Sequence, residues 1–297
     1  MPPTRFAPDR GLTVRMTVTM FLLGLLYVAF VTVLVVVGVR AVTVLVIAGG
    51  LLLAQYFLSD KIALFAMGGR EVSPQEAPEL HGIVDRLSAM SGTPKPRVAI
   101  ADSDIPNAFA TGRNQKNSVV CVTTGILRRL DARELEGVLA HEMSHVAHRD
   151  VAVMTIASFL GIVAGLMTRF ALYTGLGGRR NGNGPPIGLI IFAVSGLVYG
   201  VSFLLTRALS RYRELAADRA GALLTQQPSA LASALVKISG DIGRIPTRDL
   251  REAQPFNAFF FAPAVSGQSI ASLLSTHPPL ERRLEELSRI SAELGRG

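Results

Sequence analysis

The residues of this chain best suited to chemistry form a pentad, His141-Glu142-Met143-Ser144-His145. Histidines four residues apart lie on one face of an α-helix, so both imidazoles can reach a single metal ion. The glutamate that follows the first histidine can then act as a general base for a water molecule at the metal's open position. The pentad therefore predicts a hydrolytic metal centre with one zinc ion per chain.

The residues around the pentad favour a helix. Asp131 and Glu134 have the spacing of a capping box, which marks a helix start. Residues 132–149 contain no proline, and Gly137 is the only glycine among them. The alternative is that the five-residue match is accidental and lies on an ordinary surface helix. The flanking residues argue against that alternative, because they place the pentad well inside a helix.

A third ligand is needed, because zinc enzymes usually supply three protein ligands. Two long apolar runs lie between the pentad and Glu214. If these runs form a hairpin, the chain returns to the side from which it entered. His145 then lies about 9 Å before the first run and Glu214 about 12 Å after the second, measured along a helix, so the two residues lie at a similar height. Asp218, four residues later on the same face, can accept a hydrogen bond from a ligand histidine. His148 competes for the third position, but it lies about 10 Å further along the helix from His141.

Composition indicates a membrane protein. Hydrophobic residues make up 49% of the 297 residues, and the mean hydropathy is +0.39. A single cysteine, Cys121, excludes an intramolecular disulfide and fits a reducing compartment. The net charge of +8 favours anionic lipid headgroups. The basic residues are spread out and are not interleaved with aromatics, so nucleic acid is not an expected partner and the lipid bilayer is.

Four apolar runs are long enough to span a bilayer, which needs about 20 apolar residues as a helix. They are predicted to form two transmembrane hairpins and comprise Met16–Val39, Ala41–Ser59, Val151–Thr168 and Ile187–Thr206. The alternative for the last two runs is a buried core hairpin in a soluble domain. The predicted organisation is a cytoplasmic tail (1–15), a first hairpin (16–59), a catalytic part (60–150), a second hairpin (151–206) and a second catalytic part (207–297).

Arginines define the predicted orientation. Three precede the first run and three follow the fourth, whereas the loop of the first hairpin carries only Arg40. By the positive-inside rule, both termini and both catalytic parts are expected in the cytoplasm. Arg179 and Arg180 oppose this orientation, because they fall in the loop 175–186 that is assigned to the outside.

The remaining pattern predicts a mainly α-helical fold with a small β-sheet. Ser73-Pro74-Gln75-Glu76 has the features of a helix start, with the helix running to Met90. His81 lies alone in this amphipathic helix and is expected at the surface. Strands are predicted at 97–101, 107–111 and 119–123, and further amphipathic helices at 228–242 and 280–294.

Four segments in this order resemble the HtpX family of membrane zinc metalloproteases, relatives of the CAAX prenyl endopeptidases. They are Asn107-Ala108-Phe109-Ala110-Thr111-Gly112, the pentad, the segment from Glu214 to Asp218, and Ser275-Thr276-His277-Pro278-Pro279 with Arg282 and Arg283. The similarity covers nearly the whole chain. It implies a membrane-anchored gluzincin-type metalloprotease fold with four transmembrane helices.

The resemblance also implies roles for individual residues. His141, His145 and Glu214 would bind zinc, and Glu142 would be the base. Asn107, Ala108, Phe109 and Ala110 would form an edge strand that pairs with the backbone of an extended substrate. His277 and Arg283 would approach the site and stabilise a tetrahedral oxyanion. The alternative for the last two is that the His277-Pro278-Pro279 segment only caps the last helix.

The expected activity is that of a zinc endopeptidase of the bacterial inner membrane. The resemblance implies that it cleaves misfolded or damaged membrane proteins at the cytoplasmic face, as part of quality control under stress. The alternative from another class is a catalytically silent membrane scaffold or regulator that retains a zinc fold. The intact Glu142 argues against that alternative, because a structural metal site needs no base.

Overall fold

The structure is a computed structural model that describes residues 9–36, 41–173, 186–242 and 277–295. More than half of the predicted N-terminal tail (1–15) lies outside the described residues. The predicted loop at 175–186 lies outside them except for its last residue. Within them the fold is mainly α-helical, with one small sheet, as the pattern predicts. The elements are α1 (Arg10–Val36), α2 (Ala41–Ala66), β1 (Gly69–Glu71), α3 (Pro78–Ser91), β2 (Arg97–Ala101), β3 (Ala108–Gly112), β4 (Ser118–Thr123), α4 (Thr124–Arg129), α5 (Ala132–Ala147), α6 (Asp150–Tyr173), α7 (Ile187–Thr225), α8 (Pro228–Ile242) and α9 (Leu280–Leu294).

The described residues divide into two compact units. One comprises residues 9, 58–151, 210–242 and 277–295, and the other comprises residues 10–36, 41–57, 152–173 and 186–209. The first unit holds the sheet and the pentad helix α5. The second holds the apolar helices, including the first part of the 39-residue α7.

Two helices of the described ranges, α1 and α7, are long and apolar enough to cross a membrane. Only 22% and 17% of their most apolar windows are buried within the protein. That exposure distinguishes both helices from the core helices of a soluble domain, whose apolar faces are covered. The structure thus shows two candidate spans where the sequence predicts four.

The sheet of the first unit has the strand order β1-β2-β4-β3. β2 runs parallel to β4, whereas β1 and β3 pair antiparallel to their neighbours. β4 is buried along its whole length, as expected of the valine-rich run in the middle of a sheet. β3 lies at one edge, and α5 packs against it.

The core of the first unit lies between the sheet and the surrounding helices, among them α3, α5, α8 and α9. α5 is buried on nearly all sides, because it contacts β3 and β4 as well as α3 and α8. The apolar residues that fill this core include Leu80, Val84, Leu87, Val120, Val138, Leu139, Leu231, Leu235, Ile238, Leu287 and Ile290. The pentad is therefore held in a packed interior and is not on a surface helix.

Two predictions about α3 are wrong. The helix begins at Pro78 and not near Ser73, because Ala77 precedes a proline and takes a non-helical conformation, with φ −139° and ψ 64°. Ser73 and Glu76 make reciprocal hydrogen bonds, but these close an isolated turn ahead of the helix. His81 is buried rather than exposed, and its Nε2 lies 3.0 Å from the carbonyl oxygen of Val72.

Candidate metal centre

The helix that carries the pentad starts with a complete capping box. The Asp131 carboxylate accepts hydrogen bonds from the N–H groups of Arg133 and Glu134, each 2.9 Å long. The Glu134 carboxylate accepts in return from the Asp131 N–H at 3.0 Å. The predicted start of α5 is confirmed, and the helix continues to Ala147. The pentad therefore occupies regular helix, where the i, i+4 geometry of its histidines holds.

Two residues of α8 also donate hydrogen bonds to the carboxylate of Glu134, one of the two residues of the capping box. Ser233 Oγ donates to Glu134 at 2.6 Å, and Lys237 Nζ donates at 2.7 Å. These bonds fix the start of α5 against α8. Sequence reasoning missed them, since α8 follows about one hundred residues later and nothing in its pattern points to α5.

The structure brings His141, His145 and Glu214 together. One ligand atom from each lies within 4.8 Å of the others, and all three residues are buried. The Glu214 carboxylate lies 3.6 Å from His141 Nε2 and 3.5 Å from His145 Nε2. Two ligand atoms about 2.1 Å from one tetrahedral zinc ion are separated by about 3.4 Å. The observed separations fit this geometry, so these residues could hold a metal ion.

The two histidines have different proton affinities. Burial by itself lowers the pKa of His141, but its bonds to Asp218 and Glu214 outweigh burial and raise the pKa to about 9. Burial, together with the charge of Arg213, holds the pKa of His145 well below its ordinary value. His145 is therefore neutral at pH 7, as a metal ligand must be, and His141 must lose a proton before it can bind a metal.

Asp218 and Arg283 lie behind His141. Asp218 Oδ1 is 2.9 Å from His141 Nδ1, the ring nitrogen that faces away from Glu214. Arg283 of α9 donates two hydrogen bonds to the same carboxylate, of 2.7 Å from Nε and 2.6 Å from Nη2. Asp218 and Arg283 are 0% and 2% exposed. This buried bidentate pair fixes the carboxylate that orients the ring of His141.

Glu214 has further polar neighbours. His277, from the segment that leads into α9, is buried, and its Nδ1 lies 3.0 Å from Glu214 Oε2. Arg213 Nη2 lies 3.4 Å from the other carboxylate oxygen. Glu214 thus contacts an arginine as well as the histidines of the cluster. His148 ends α5 and its Nδ1 contacts the Ser144 carbonyl oxygen at 2.9 Å, outside the cluster.

Glu142 connects the cluster with the edge strand. Its Oε2 accepts a 3.1 Å hydrogen bond from the backbone N–H of Ala110 in β3. Burial raises the pKa of Glu142 to about 7. A carboxylate with this proton affinity can both accept and release a proton near neutral pH, as general acid–base catalysis requires.

The backbone groups of β3 alternate between its partner strand and its outer edge, called the free edge because no other described strand pairs with it. Asn107, directly before β3, makes two hydrogen bonds to Thr123, each 2.9 Å long. Its C=O accepts from the backbone N–H of Thr123, and its N–H donates to the side-chain Oγ1 of Thr123. The N–H and C=O of Ala108 and Ala110 therefore point to the free edge, in agreement with the bond to Glu142. The predicted segment Asn107–Ala110 thus lies beside the pentad helix.

A helix with an H-E-x-x-H pentad, a carboxylate from a second helix and an adjacent sheet edge define a metalloprotease. The model of the family described as Peptidase family M48 matches residues 74–291. The chain belongs to peptidase family M48 and, within it, to the HtpX proteases. It is 62% identical over 294 residues to "Protease HtpX homolog 1" of Streptomyces coelicolor, covering 98% of this chain and 97% of that relative.

Two further comparisons agree with this assignment. The chain is 53% identical over 288 residues to "Protease HtpX homolog" of Moorella thermoacetica, covering 96% of each. The crystal structure of S. mikatae Ste24p is similar in fold, with a TM-score of 0.54 and 16% identity over 94% of this chain and 67% of that one. The HtpX relatives, together with the two apolar helices, indicate a membrane protein.

Proposed function

We propose that the chain is a zinc-dependent endopeptidase of the bacterial inner membrane that cleaves misfolded or damaged membrane proteins at the cytoplasmic face. One observation carries this proposal. The ligand atoms of His141, His145 and Glu214 meet within 4.8 Å, and Glu142 joins them to the free edge of β3. Such an arrangement places an extended peptide beside a metal ion and a base.

Zinc is the expected ion, because two histidines and one carboxylate form the ligand set of many zinc peptidases. His141, His145 and Glu214 would hold it. When bound, zinc acts as a Lewis acid that polarises the scissile carbonyl and makes a water molecule more acidic. The neutral state of His145 and the ligand separations near 3.5 Å support this assignment.

Glu142 is the proposed base. It takes a proton from the attacking water and then delivers it to the nitrogen of the leaving amine. A pKa of about 7 suits both steps, because the group can exist in either protonation state near neutral pH. The Ala110 N–H that now binds Glu142 becomes available to a substrate carbonyl when the carboxylate turns to the water.

Asn107, Ala108, Phe109 and Ala110 are proposed to bind substrate. An unpaired strand edge captures any extended peptide through main-chain hydrogen bonds. Ala108 and Ala110 supply the outward N–H and C=O groups, while Phe109 and Asn107 hold the strand in the sheet. Recognition by backbone alone suits substrates whose common property is loss of structure and not a shared sequence.

His277 and Arg283 differ in their proposed roles. Arg283 directs two nitrogens at Asp218 and is buried, which supports a positioning role through Asp218 and His141. His277 lies against Glu214 beside the ligand cluster. It is therefore the better of the two as a donor to the oxyanion of the tetrahedral intermediate.

Four transmembrane helices are proposed, in two hairpins at 16–59 and 151–206. The 26-residue α2 and the 24-residue α6 are each long enough to cross a hydrocarbon core of about 30 Å. The arginines at both ends of this arrangement support a cytoplasmic location for the tail 1–15 and for the catalytic parts 60–150 and 207–297.

Cleavage of an unfolded model protein by the detergent-purified enzyme tests the catalytic assignment. Zinc content is measured alongside for wild type, Glu142→Gln and the matched control Glu285→Gln, which changes an exposed carboxylate of α9. We expect Glu142→Gln to keep its zinc and lose cleavage, and Glu285→Gln to match the wild type. Equal cleavage by Glu142→Gln, or zinc binding without cleavage by the wild type, would refute the proposal.

Orientation is tested by labelling in intact cells. Cys121 is buried and is replaced by serine, and a single cysteine is then placed at Lys116, an exposed residue of the catalytic part. A membrane-impermeant maleimide should label this position only after the cells are permeabilised. Labelling in intact cells would place the catalytic part outside.

A further inference from the structure

Gly221 lies on the face of α7 that meets the pentad helix. Glu214, Asp218 and Gly221 are spaced i, i+4 and i+7, so they lie in one row along α7. The first two contact His141 through their carboxylates. Gly221 contacts the same residue through the backbone, because its missing side chain leaves room for α5.

A side chain at position 221 would collide with the backbone of α5. A Cβ built there lies 2.9 Å from the backbone nitrogen of His141 and 3.2 Å from both the Ala140 carbonyl carbon and the His141 Cα. Ordinary contacts between such atoms are about 3.5–4.0 Å. Backbone atoms inside a helix cannot rotate away, so any side chain must move one helix from the other by roughly half an ångström or more.

We infer that Gly221 is a positioning residue for the metal centre, whose missing side chain sets the separation of α5 and α7 at the ligand His141. This inference rests on the proposed function, since it assumes that His141, His145 and Glu214 bind zinc. Metal–ligand distances tolerate changes of about 0.2 Å. A displacement of half an ångström between the two ligand helices exceeds that tolerance, although it removes no ligand.

Two other helical glycines provide a graded comparison. Gly137, on α5, faces α8, and a Cβ there would lie 3.3 Å from backbone atoms of Leu231. The contact at Gly137 is tight but less severe than the 2.9 Å contact at Gly221. It is made with α8 and not with α7, the helix that carries Glu214. Gly240, in α8, would have no atom of the described residues within 4 Å of a Cβ. Alanine at an unhindered helical position is favoured over glycine by about 1 kcal/mol, so Gly240→Ala controls for helix propensity.

The affinity for Zn²⁺ is measured by competition with a chromogenic chelator, using metal-free full-length protein in detergent. We expect Gly221→Ala to bind Zn²⁺ about 10 to 100 times more weakly than the wild type, as when a residue that orients a ligand is changed. Gly137→Ala should lose less Zn²⁺ affinity than Gly221→Ala, and Gly240→Ala should bind Zn²⁺ as tightly as the wild type. The absorption spectrum of bound Co²⁺ should change in Gly221→Ala, because it reports the arrangement of the ligands, whereas a loss of stability alone would not alter it.

Wild-type Zn²⁺ affinity and an unchanged Co²⁺ spectrum in folded Gly221→Ala would overturn the inference. If metal-free Gly221→Ala does not fold, it is produced and purified with Co²⁺ present throughout, and a wild-type Co²⁺ spectrum would likewise overturn the inference. His145→Ala separates this failure from failure of the proposed function. If His145→Ala binds Zn²⁺ as tightly as the wild type, the metal site itself is misassigned.

Discussion

Arg283→Met tests whether the buried pair behind His141 holds the metal centre together. Methionine has nearly the length of the arginine stem but cannot bind the Asp218 carboxylate. The change removes two hydrogen bonds of 2.7 and 2.6 Å between groups that are almost completely buried. The carboxylate is then left in the interior beside His141, its remaining polar partner within the described residues.

The expected loss of stability is large. A hydrogen bond to a charged group contributes about 1.5–3 kcal/mol, and removal of one partner from a buried ion pair costs about 3–5 kcal/mol. We therefore expect the free energy of unfolding to fall by about 3–5 kcal/mol, out of a typical total of about 5–15 kcal/mol. Urea unfolding of the metal-free protein in detergent measures this change.

A double variant separates stability from ligand orientation. Asp218→Leu combined with Arg283→Met replaces the ion pair by apolar groups, which is often neutral for stability. We expect it to recover most of the lost free energy. Its zinc affinity should nevertheless remain about 10 to 100 times weaker than that of the wild type, because nothing fixes the ring of His141.

Arg289→Met is the matched control, since Arg289 lies on the exposed side of the same helix and pairs with a neighbouring residue, Glu286. Its effect on unfolding should stay within about 0.5 kcal/mol. The reasoning is refuted if Arg283→Met costs less than about 1 kcal/mol, or if the double variant is as unstable as the single one.

Three further predictions concern the site. Since the base must be deprotonated and burial raises the pKa of Glu142 to about 7, kcat/KM should rise with pH with a midpoint at about pH 7 or below. Bound zinc can only shift this limb to lower pH, so a midpoint well above 7 would contradict the assignment. Because the pKa of His141 is raised to about 9, zinc binding at pH 7.5 should release about one proton, and the zinc affinity should weaken as pH falls. Calorimetry in two buffers of different ionisation enthalpy measures the number of protons released. If no proton is released, His141 is already neutral in the metal-free protein. Ala110→Pro removes an outward N–H without breaking the hydrogen bonds between β3 and β4, so it should abolish cleavage. Its zinc content and thermal stability should stay near those of the control Ala110→Val. Full activity of Ala110→Pro would argue against substrate binding at β3.

The local parts of the site follow from sequence alone. The capping box and the i, i+4 histidines depend on residues within one helix, and spacing specifies them. Asp218 could also be predicted to face a ligand histidine, because it lies one turn after Glu214. The failure at Ser73 is local as well: a helix-start pattern competed with Pro78, whose restriction of the preceding residue decided the boundary.

The distant contacts could not be predicted. Arg283 meets Asp218 across 65 residues, and Ala110 meets Glu142 across 32. Neither pairing leaves a periodic signal, because it depends on how α9 and β3 pack against α5 and α7. His81 shows the same limit, since a lone histidine on an amphipathic helix does not reveal that the Val72 carbonyl will cover it.

The shortness of β3 limits how firmly any peptide can be held. Beyond Ala108 and Ala110, the strand ends at Gly112, whose φ of +142° and tight approach to the Asn117 carbonyl turn the chain away. A peptide along this edge gains about four backbone hydrogen bonds, which contribute about 2–6 kcal/mol in total and correspond to dissociation constants near the millimolar range. We therefore expect cleaved products to leave quickly. If peptides bind at this edge as proposed, we expect a folded protein to be spared, since the free energy needed to expose one of its segments, out of a typical total of about 5–15 kcal/mol, exceeds the free energy of binding to this edge.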